Sequence, residues 1–434
     1  MQHDLSLAGR RSGEHVRSMG AHERLLYLYS KLHHRHFCMV GEISGSFAED
    51  NLQDAFDRAQ DRHPQLWLAV QDGETGPRFI THMRRIPLQI ETSDSSQGWK
   101  SIVEKQLATP FNPWIGPLVR AIVLKEKAGI GRWTVILTFH HAIADGLSAV
   151  AFLKDIVAAL NGVRLHKAQQ RDSIEELVGK EMMVTDAMAG VPLPNVDLAT
   201  IKAIASRPLW RAFDSDNPKV CSLDFPGELT TYLINEIRYK GVTFQSALCA
   251  AIAIANCRDV SSTSYSVLSP INIRSMAKVD TTEIGLFIAA ASLKIDAVNE
   301  IPFWSLARRY KEWLSSSRSP KSLIGSLQLV ESALPQTANA EIACGLVGAV
   351  AYDASVSNLG VVDVLSAGSK ARLESLWGPM VLGRIRNERM FGAVTYAGHL
   401  RLTETRPAHI PESLPRVVEI LEKACSTSTG GADA

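Results

Sequence analysis

Hydrophobic and polar residues follow one another along this chain in patterns that predict strands and helices in turn. The segment 133–139 is β-branched and aromatic, as a buried strand is, and 147–160 carries apolar residues at helical spacing. Residues 220–225 alternate as a second strand region, and 243–257 predicts a buried helix. Strands and helices keep alternating up to Leu421, which predicts an α/β protein.

The pattern also divides the chain into five parts. The first residues are polar and mixed in charge, the stretch around 190–195 (GVPLPN) is a chain breaker, and the last residues are small and polar. The expected parts are a mobile tail over 1–17, a first lobe over 18–165, a linker or crossover over 166–216, a second lobe over 217–425 and a disordered tail over 426–434.

Composition narrows the class of partner. The chain has 434 residues, 46% of them hydrophobic, so it can bury a large core. Lys plus Arg total 46 against 45 for Asp plus Glu, a net charge of +1. This balance gives no reason to expect nucleic acid or an anionic membrane surface as a partner, and it favours a small molecule.

Cysteine use and hydropathy predict a cytoplasmic protein. Six cysteines are scattered without C-x-x-C spacing, which indicates reduced thiols and neither a disulfide framework nor a zinc module. The N-terminus has no apolar core and so does not resemble a secretory signal. The most apolar helix candidate, 244–257, is too short to cross a bilayer.

The candidate chemistry lies in residues 140–146 (HHAIADG), directly after the strand 133–139. Neighbouring strand residues point to opposite faces, so His140 and His141 are expected to do different jobs. One of them can accept a proton from an attacking hydroxyl or amine if its tautomer and ring orientation are held, and Asp145 is placed to help hold them.

Two other interpretations of this segment stay open at this point. Asp145 before a helix is also a good N-cap, and Gly146 suits a turn. His141 and Asp145 are four residues apart, as metal ligands can be, but no further ligand cluster follows. The histidines of 33–36 (HHRH) look like a metal cluster but are expected to be solvated, and no metal is assigned.

Downstream of the second predicted sheet region, Pro270, Asn272 and Arg274 form a Pro-x-Asn-x-Arg pattern. Together with His-His-x-x-x-Asp-Gly, it resembles the acyltransferases with the chloramphenicol acetyltransferase fold, a superfamily that includes the condensation domains of peptide synthetases. The segments 62–64 (RHP) and 116–120 (GPLVR) are similar to that superfamily in order and spacing. The resemblance covers about 19–421.

The resemblance implies a fold of two lobes, each a mixed β-sheet flanked by helices, with the active-site channel between them. It implies that His141 is the general base and that Asp145 pairs with Arg274 and holds the loop, with His140 and Gly146 supporting it. The alternative for Arg274 is an exposed charge that contacts nothing.

One departure narrows the resemblance. Where peptide-synthetase condensation domains and plant acyltransferases carry Asp-Phe-Gly-Trp-Gly, this chain has 356–360 (VSNLG), which is similar to free-standing alcohol and polyketide-associated O-acyltransferases. Ser357 and Asn358 are candidates for lining the channel or for a strand-ending turn. The oxyanion donor could be the backbone near Gly360 or the Ser357 hydroxyl. The family also places Thr395 and Tyr396 at the channel, with core packing as the alternative.

The expected function is transfer of an acyl group to the hydroxyl of a small molecule or lipid. The donor is acyl-CoA or an acyl-phosphopantetheine carrier protein, no cofactor is bound permanently, and the chain is expected to be a monomer. Transfer is direct, because the sequence has no Gly-x-Ser-x-Gly elbow and no cysteine in an activating context. The rivals are a condensation-type enzyme that forms an amide with an amine, and a catalytically silent binding protein with the same fold.

Overall fold

The protein is described by a computed structural model that covers residues 12–93, 98–127, 131–185, 197–207, 209–211, 217–257, 264–350, 352–364 and 370–426. Among these residues, no helix has both the length and the apolar composition that crossing a membrane requires. The disordered tail predicted over 426–434 lies, apart from Ser426, outside the described residues.

The strands, numbered β1 to β14 in chain order, are His15–Ser18, His36–Gly45, Leu68–Gln71, Arg78–Thr81, Leu88–Ser93, Val119–Glu126, Arg132–His140, Pro218–Phe225, Tyr265–Asn272, Ile288–Ile295, Ala354–Val362, Ala371–Val381, Arg389–Tyr396 and His399–Pro407. The helices, numbered α1 to α13, are Ala21–Ser30, Glu49–Arg62, Trp99–Ala108, Gly146–Leu160, Ile174–Thr185, Leu198–Ala205, Gly227–Tyr239, Phe244–Cys257, Arg274–Ala277, Phe303–Ser317, Pro320–Ala333, Ala340–Ala349 and Leu414–Ser426. Short 3₁₀ turns lie at Pro64–Trp67 and Val298–Glu300.

The first large sheet has five strands in the order β12-β2-β7-β6-β5. Strand β7 is buried on both faces, because its odd-numbered residues, such as Val135 and Leu137, pack in the main core under α4, while Ile136 packs on the other side with Trp99 of α3. A strand covered on both faces reads as a continuous apolar run, and this is why 133–139 was recognisable as a buried strand. The predicted strand and the helix 147–160 are both confirmed.

The second large sheet has six strands in the order β10-β9-β11-β13-β14-β8. Helices α7, α8, α10 and α13 cover one of its faces, where α8 is almost entirely buried. The opposite face contributes Leu268, Met390 and Val394 to the core that the first sheet also uses. The molecule therefore has the α/β architecture of two sheets flanked by helices that the sequence led us to expect.

Three details correct the expected division of the chain. Strand β1 begins at His15, in the segment predicted as a mobile tail, 1–17, and pairs antiparallel with β4 in a small sheet with β3. The predicted linker, 166–216, contains α5 and α6, and Ile174 and Val178 of α5 are buried in a core cluster. Contacts with distant parts of the chain hold β1 and α5 in place, and a short segment of sequence does not show such contacts.

The third correction concerns β12. Its residues fall within the predicted second lobe, 217–425, yet the strand pairs antiparallel with β2 of the first sheet, with Trp377 opposite Val40. Near the far end of this pairing, the Ser44 hydroxyl donates to the Glu374 carboxylate at 2.5 Å. The C-terminal half thus contributes the edge strand of the N-terminal sheet, which links the two halves.

Candidate active site

The loop between β7 and α4 carries both histidines of the motif. Strand β2 supports it, because His36 lies opposite His140 in the pairing of β2 with β7, and the His141 amide donates to the Arg35 carbonyl oxygen at 3.0 Å. The two imidazoles leave the strand on different sides and have different surroundings, as the alternation of side chains along a strand predicts.

His141 has the surroundings of a proton acceptor. Its Nδ1 donates to the carbonyl oxygen of Ala144 at 2.9 Å, since a carbonyl can only accept, and this leaves Nε2 as the basic nitrogen. The ring lies 4.9 Å from the Phe37 ring, and 9% of the residue is exposed. Burial and the nearby Arg35 lower the pKa of His141 to about 4, so its imidazole is neutral at pH 7.

His140 is enclosed in the interior. Its Nδ1 accepts from the Ala142 amide at 3.2 Å, and its Nε2 lies 2.9 Å from the Ser30 hydroxyl, to which it donates. Burial and His141 lower the pKa of His140 to about 3. Both ring nitrogens are therefore engaged within the protein, and His140 holds the start of the loop.

Asp145 is at once a helix cap and half of a buried ion pair. One carboxylate oxygen accepts from the Ser148 amide at 2.9 Å, and both oxygens accept from the Arg274 guanidinium at 2.8 Å. The Phe287 amide donates to the same carboxylate at 3.0 Å. Asp145 and Arg274 are 1% and 2% exposed, so the pair joins the loop to the second lobe without contact with water.

These contacts decide between the alternatives for this segment. The capping role and the pairing with Arg274 occur together, and Arg274 is not an exposed charge. The Asp145 carboxylate is saturated by donors, so it is not available to a metal ion beside His141. The histidines of 33–36 are not solvated as expected, because His34 and His36 are buried, and burial lowers the pKa of His34 to about 3.

A cavity of about 630 Å³ opens beside His141, a volume in the usual range for small-molecule sites. Both halves of the chain line it, and most of the lining is apolar. The first half contributes Leu25, Leu26, Phe37, His141 and Gly146, and the second half contributes Leu268, Leu286, Ile288, Ser355, Ser357, Asn358 and Gly360 among others.

Comparison with known proteins agrees with this arrangement. Residues 21–175 match the condensation domain family. The first condensation domain of the CDA synthetase superposes with a TM-score of 0.68 at 16% identity, over 96% of this chain and 98% of that one. The chain therefore has the fold of condensation domains, and its residues 21–175 are similar to that family in sequence.

Other relatives and structures extend the comparison. Bacitracin synthase 3 of Bacillus licheniformis is 25% identical over 280 residues, which are 62% of this chain but only 4% of that much longer protein. Polyketide synthase associated protein 5 from Mycobacterium tuberculosis has a TM-score of 0.63 at 14% identity, over 96% of this chain and 99% of that one. SgcC5 from Streptomyces globisporus has a TM-score of 0.64 at 13% identity, over 94% of this chain and 99% of that one.

The segment 356–360 is part of β11 and not a strand-ending turn. The pairing of β11 with β13 shifts between Asn358 and Val361, and Gly360 has a φ of 74°, which favours glycine. The Asn358 side chain accepts from the Gly360 amide at 2.8 Å. Ser357, Asn358 and Gly360 all line the cavity through this bulge.

Gly146 occupies a close contact between the two halves. A side chain at this position would place its Cβ 2.8 Å from the Leu359 side chain of β11. Glycine therefore allows the start of α4 to approach the bulged strand, which adds a steric reason for Gly146 to the turn role expected from the sequence.

Thr395 and Tyr396 are not among the residues that line the cavity, which decides against the channel role and, for Tyr396, in favour of the alternative of core packing. Tyr396 is 1% exposed, packs in the main core and donates to the Leu373 carbonyl oxygen at 3.2 Å. Both residues lie at the C-terminal end of β13, and this strand packs against β12.

Many residues of the cavity were not identified from the sequence, and the polar ones among them include Arg35 and Tyr352. Arg35 is a charge directly before the apolar strand β2, in the run of histidines that we considered only as metal ligands. Tyr352 precedes β11, next to the segment 356–360. A charged residue directly before a buried strand could have indicated Arg35 as a candidate. Its position beside His141, however, results from the pairing of β2 with β7.

Proposed function

We propose that this protein transfers an acyl group from a thioester to a hydroxyl group, with His141 as the general base. One observation carries the proposal: a neutral imidazole, fixed through Nδ1 on the Ala144 carbonyl, lines an apolar cavity between the two halves. A base with a fixed orientation next to a cavity that can hold the acceptor is what proton abstraction from that acceptor requires.

The reaction balances with this single base. His141 Nε2 takes the proton from the acceptor hydroxyl as the oxygen attacks the thioester carbonyl carbon. The tetrahedral intermediate then collapses, the carbon–sulfur bond breaks, and the proton moves from Nε2 to the leaving thiolate. Holding both substrates in one cavity supplies much of the rate by proximity.

Direct transfer is favoured over an acyl-enzyme intermediate. No cysteine is among the residues that line the described cavity. Burial raises the pKa of Cys38, Cys249 and Cys344 to about 12 in each case, so these thiols are poor nucleophiles at neutral pH. In the proposed scheme, Asp145 and Arg274 hold the loop and do not touch the substrate.

A hydroxyl acceptor is our first candidate. It is supported by the segment 356–360, which lacks the Asp-Phe-Gly-Trp-Gly of peptide-synthetase condensation domains, and by SgcC5, whose structure is a complex with an aryl ethanediol. The match to the condensation domain family and the relatives named as peptide antibiotic synthases favour the second candidate, amide formation with an amine. The same base serves both reactions.

Thiol release tests the proposal. The purified chain is assayed with a panel of acyl-CoA thioesters and acyl-phosphopantetheine carrier proteins, each with alcohol and amine acceptors. We expect release with alcohols, and we expect His141→Ala to lower kcat by roughly 10²- to 10⁴-fold. His409→Ala, which changes an exposed histidine, is the matched control and should retain wild-type rates.

Three outcomes oppose the proposal. Equal turnover by His141→Ala would show that another group is the base. Preference for amines would favour condensation. Thioester binding by the wild type without turnover of any pair would favour the silent binding protein.

A further inference from the structure

A second histidine lines the cavity, and the proposed transfer leaves it without a role. His22 of α1 is 9% exposed, and its Nδ1 donates to the Glu175 carboxylate at 2.8 Å, since an ionised carboxylate can only accept. Its Nε2 has no hydrogen-bond partner among the described residues and is not enclosed by them. The ring therefore presents one free nitrogen to the cavity, as His141 does.

The packing of α1 on α5 fixes this imidazole. Glu175 lies in the first turn of α5, and the same carboxylate oxygen also accepts from the His22 amide at 2.8 Å. A Cβ on Gly20 would collide with this carboxylate, so the glycine allows α1 to begin against α5. Burial alone would raise the pKa of Glu175, but hydrogen bonds from His22 outweigh it and lower this pKa to about 2. The carboxylate thus stays charged at neutral pH and holds the ring in one orientation.

Helix α1 runs from His22 to the histidine motif. His22, Leu26 and Ser30 follow one another at intervals of four residues, so they lie along one face of the helix. The Ser30 hydroxyl lies 2.9 Å from Nε2 of His140, the neighbour of the base. At a rise of about 1.5 Å per residue, His22 lies about 12 Å from that end of the helix. Leu26 lines the cavity between the two ends.

The walls of this part of the cavity are apolar. Helices α11 and α12 both pack against α1 and face the cavity with Leu329, Val330, Leu346, Val347 and Val350. Leu329 and Val350 are large apolar side chains that are 44% and 47% exposed, although they belong to the same lining. An aliphatic chain along α1 would cover these surfaces, and its far end would meet the free nitrogen of His22.

We propose that His22 forms a hydrogen bond with a hydroxyl on an aliphatic substrate chain, about ten carbon atoms from the reacting group. The proposal rests on the proposed function in placing the reacting group at His141. A hydroxyl can donate to a neutral imidazole and accept from a charged one, so it suits either state of the ring. A carboxylate suits the position less well, because it would lie near the charge of Glu175.

Binding of two alcohols tests this inference without turnover. We would measure the affinity of the full chain for 1,10-decanediol and for 1-decanol by calorimetry at pH 7.5. We expect the diol to bind about 5- to 10-fold tighter, above the statistical advantage of its two equivalent ends, because 1-decanol leaves Nε2 of His22 against a methyl group. The shorter 1,5-pentanediol, whose second hydroxyl does not reach His22, should show no such advantage over 1-pentanol.

Substitution of His22 should remove the preference and retain the affinity for the chain itself. We expect His22→Phe to bind both alcohols alike, with 1-decanol within about twofold of the wild type, and His22→Gln to keep part of the preference through its amide. His63→Phe is the matched control, because His63 forms a similar pair with Asp155 at 2.6 Å and is not among the residues that line the cavity. This variant should keep the wild-type preference.

Equal binding of the two ten-carbon alcohols by the wild type would overturn the proposal. A His22→Phe variant that weakens both alcohols alike would also overturn it, because that is the effect of a purely structural contact between α1 and α5. If circular dichroism shows that His22→Phe is unfolded, the wild type and His22→Gln decide.

Turnover then shows which substrate carries the hydroxyl. Thiol release is compared for decanoyl-CoA and 10-hydroxydecanoyl-CoA with one alcohol, and for the two ten-carbon alcohols with one acyl-CoA. A preference that depends on His22 assigns the hydroxyl to the donor in the first comparison and to the acceptor in the second. A diol preference in binding, in a protein that transfers no acyl group to any acceptor, supports the site at His22 while the proposed function fails.

Discussion

At the scale of the residue, the site depends on an imidazole that stays neutral. His141 loses access to water on folding and faces the charge of Arg35, and both effects disfavour its protonated form. The Ala144 carbonyl fixes the proton on Nδ1, so the free nitrogen is always the same one. Nε2 of His141 is therefore a weak base with a fixed orientation, and it can accept a proton from the acceptor at neutral pH.

The pH dependence of the reaction follows from this pKa. The pKa of His141 is lowered from its usual 6.5 to about 4, so the basic form persists into more acidic solution. We expect kcat/KM for thiol release to stay level from about pH 8 to about pH 5 and to fall about tenfold per unit below the pKa. Initial rates, with circular dichroism to verify folding at each pH, check this. A decline centred near pH 6.5 would show that the base is a solvated histidine.

At the scale of the element, the loop between β7 and α4 is held by an ion pair that reaches from one half of the chain to the other. Asp145 caps α4, and Arg274 begins α9, where its guanidinium also lies 4.8 Å from the Phe287 ring. Burial alone would raise the pKa of the Asp145 carboxyl, but the charge of Arg274 and the hydrogen bonds from Arg274 and the Phe287 amide outweigh it and lower this pKa. The position of the base thus depends on a distant segment of the chain.

Removing both partners of this pair should cost less than the sum of the two single removals. We expect Arg274→Ala to lower the free energy of unfolding by about 3–5 kcal/mol, because it leaves a buried carboxylate unpaired. The double variant Asp145→Asn with Arg274→Met should lose less than the sum of the single changes. Urea unfolding measures both. Lys278→Ala, at an exposed cation just after α9, is the control and should change stability by under about 0.5 kcal/mol.

A fully stable and fully active Arg274→Ala variant would remove the role that we give to the pair. An additive double variant would show that the two side chains act separately.

At the scale of the whole molecule, the packing around β2 and β7 buries several histidines in neutral form. Burial is the main cause that lowers the pKa values of His34 and His140 to about 3 and of His141 to about 4, and it also lowers the pKa of His36 well below its usual value. In the unfolded chain these groups regain an ordinary pKa near 6.5.

This difference predicts loss of stability in mild acid. Below about pH 6.5 the unfolded chain binds protons that the folded protein does not, so the free energy of unfolding falls as the pH falls toward about 4. Each such histidine contributes up to about 1.4 kcal/mol per pH unit in that window. Urea unfolding at pH 7.5, 6.5 and 5.5, above the range where most carboxylates titrate, measures the slope. Equal stability at the three values would contradict the neutral, buried state of these side chains.

Much of the fold followed from local patterns. The strand over 133–139 was recognisable as a continuous run of β-branched and aromatic residues, and the helix over 147–160 by the helical spacing of its apolar residues. The pairing of Asp145 with Arg274 was anticipated by resemblance to a family, and the structure contains that contact. For the segment 356–360 the sequence left two roles open, a strand-ending turn and a place in the channel, since a glycine indicates a bend without saying whether the strand continues.

The strands, the helices and the candidate motif could be predicted from the sequence, because periodicity and capping are properties of neighbouring residues, whereas the lowered pKa of His141 depends on burial in the folded protein. Tertiary structure alone decided that β12 completes the first sheet, that Tyr396 packs in the core and that Arg35 stands beside His141. Those outcomes depend on pairing and burial between segments far apart in the chain. Such contacts stabilise the protein only when two distant segments pack together, so the sequence of one segment does not predict them.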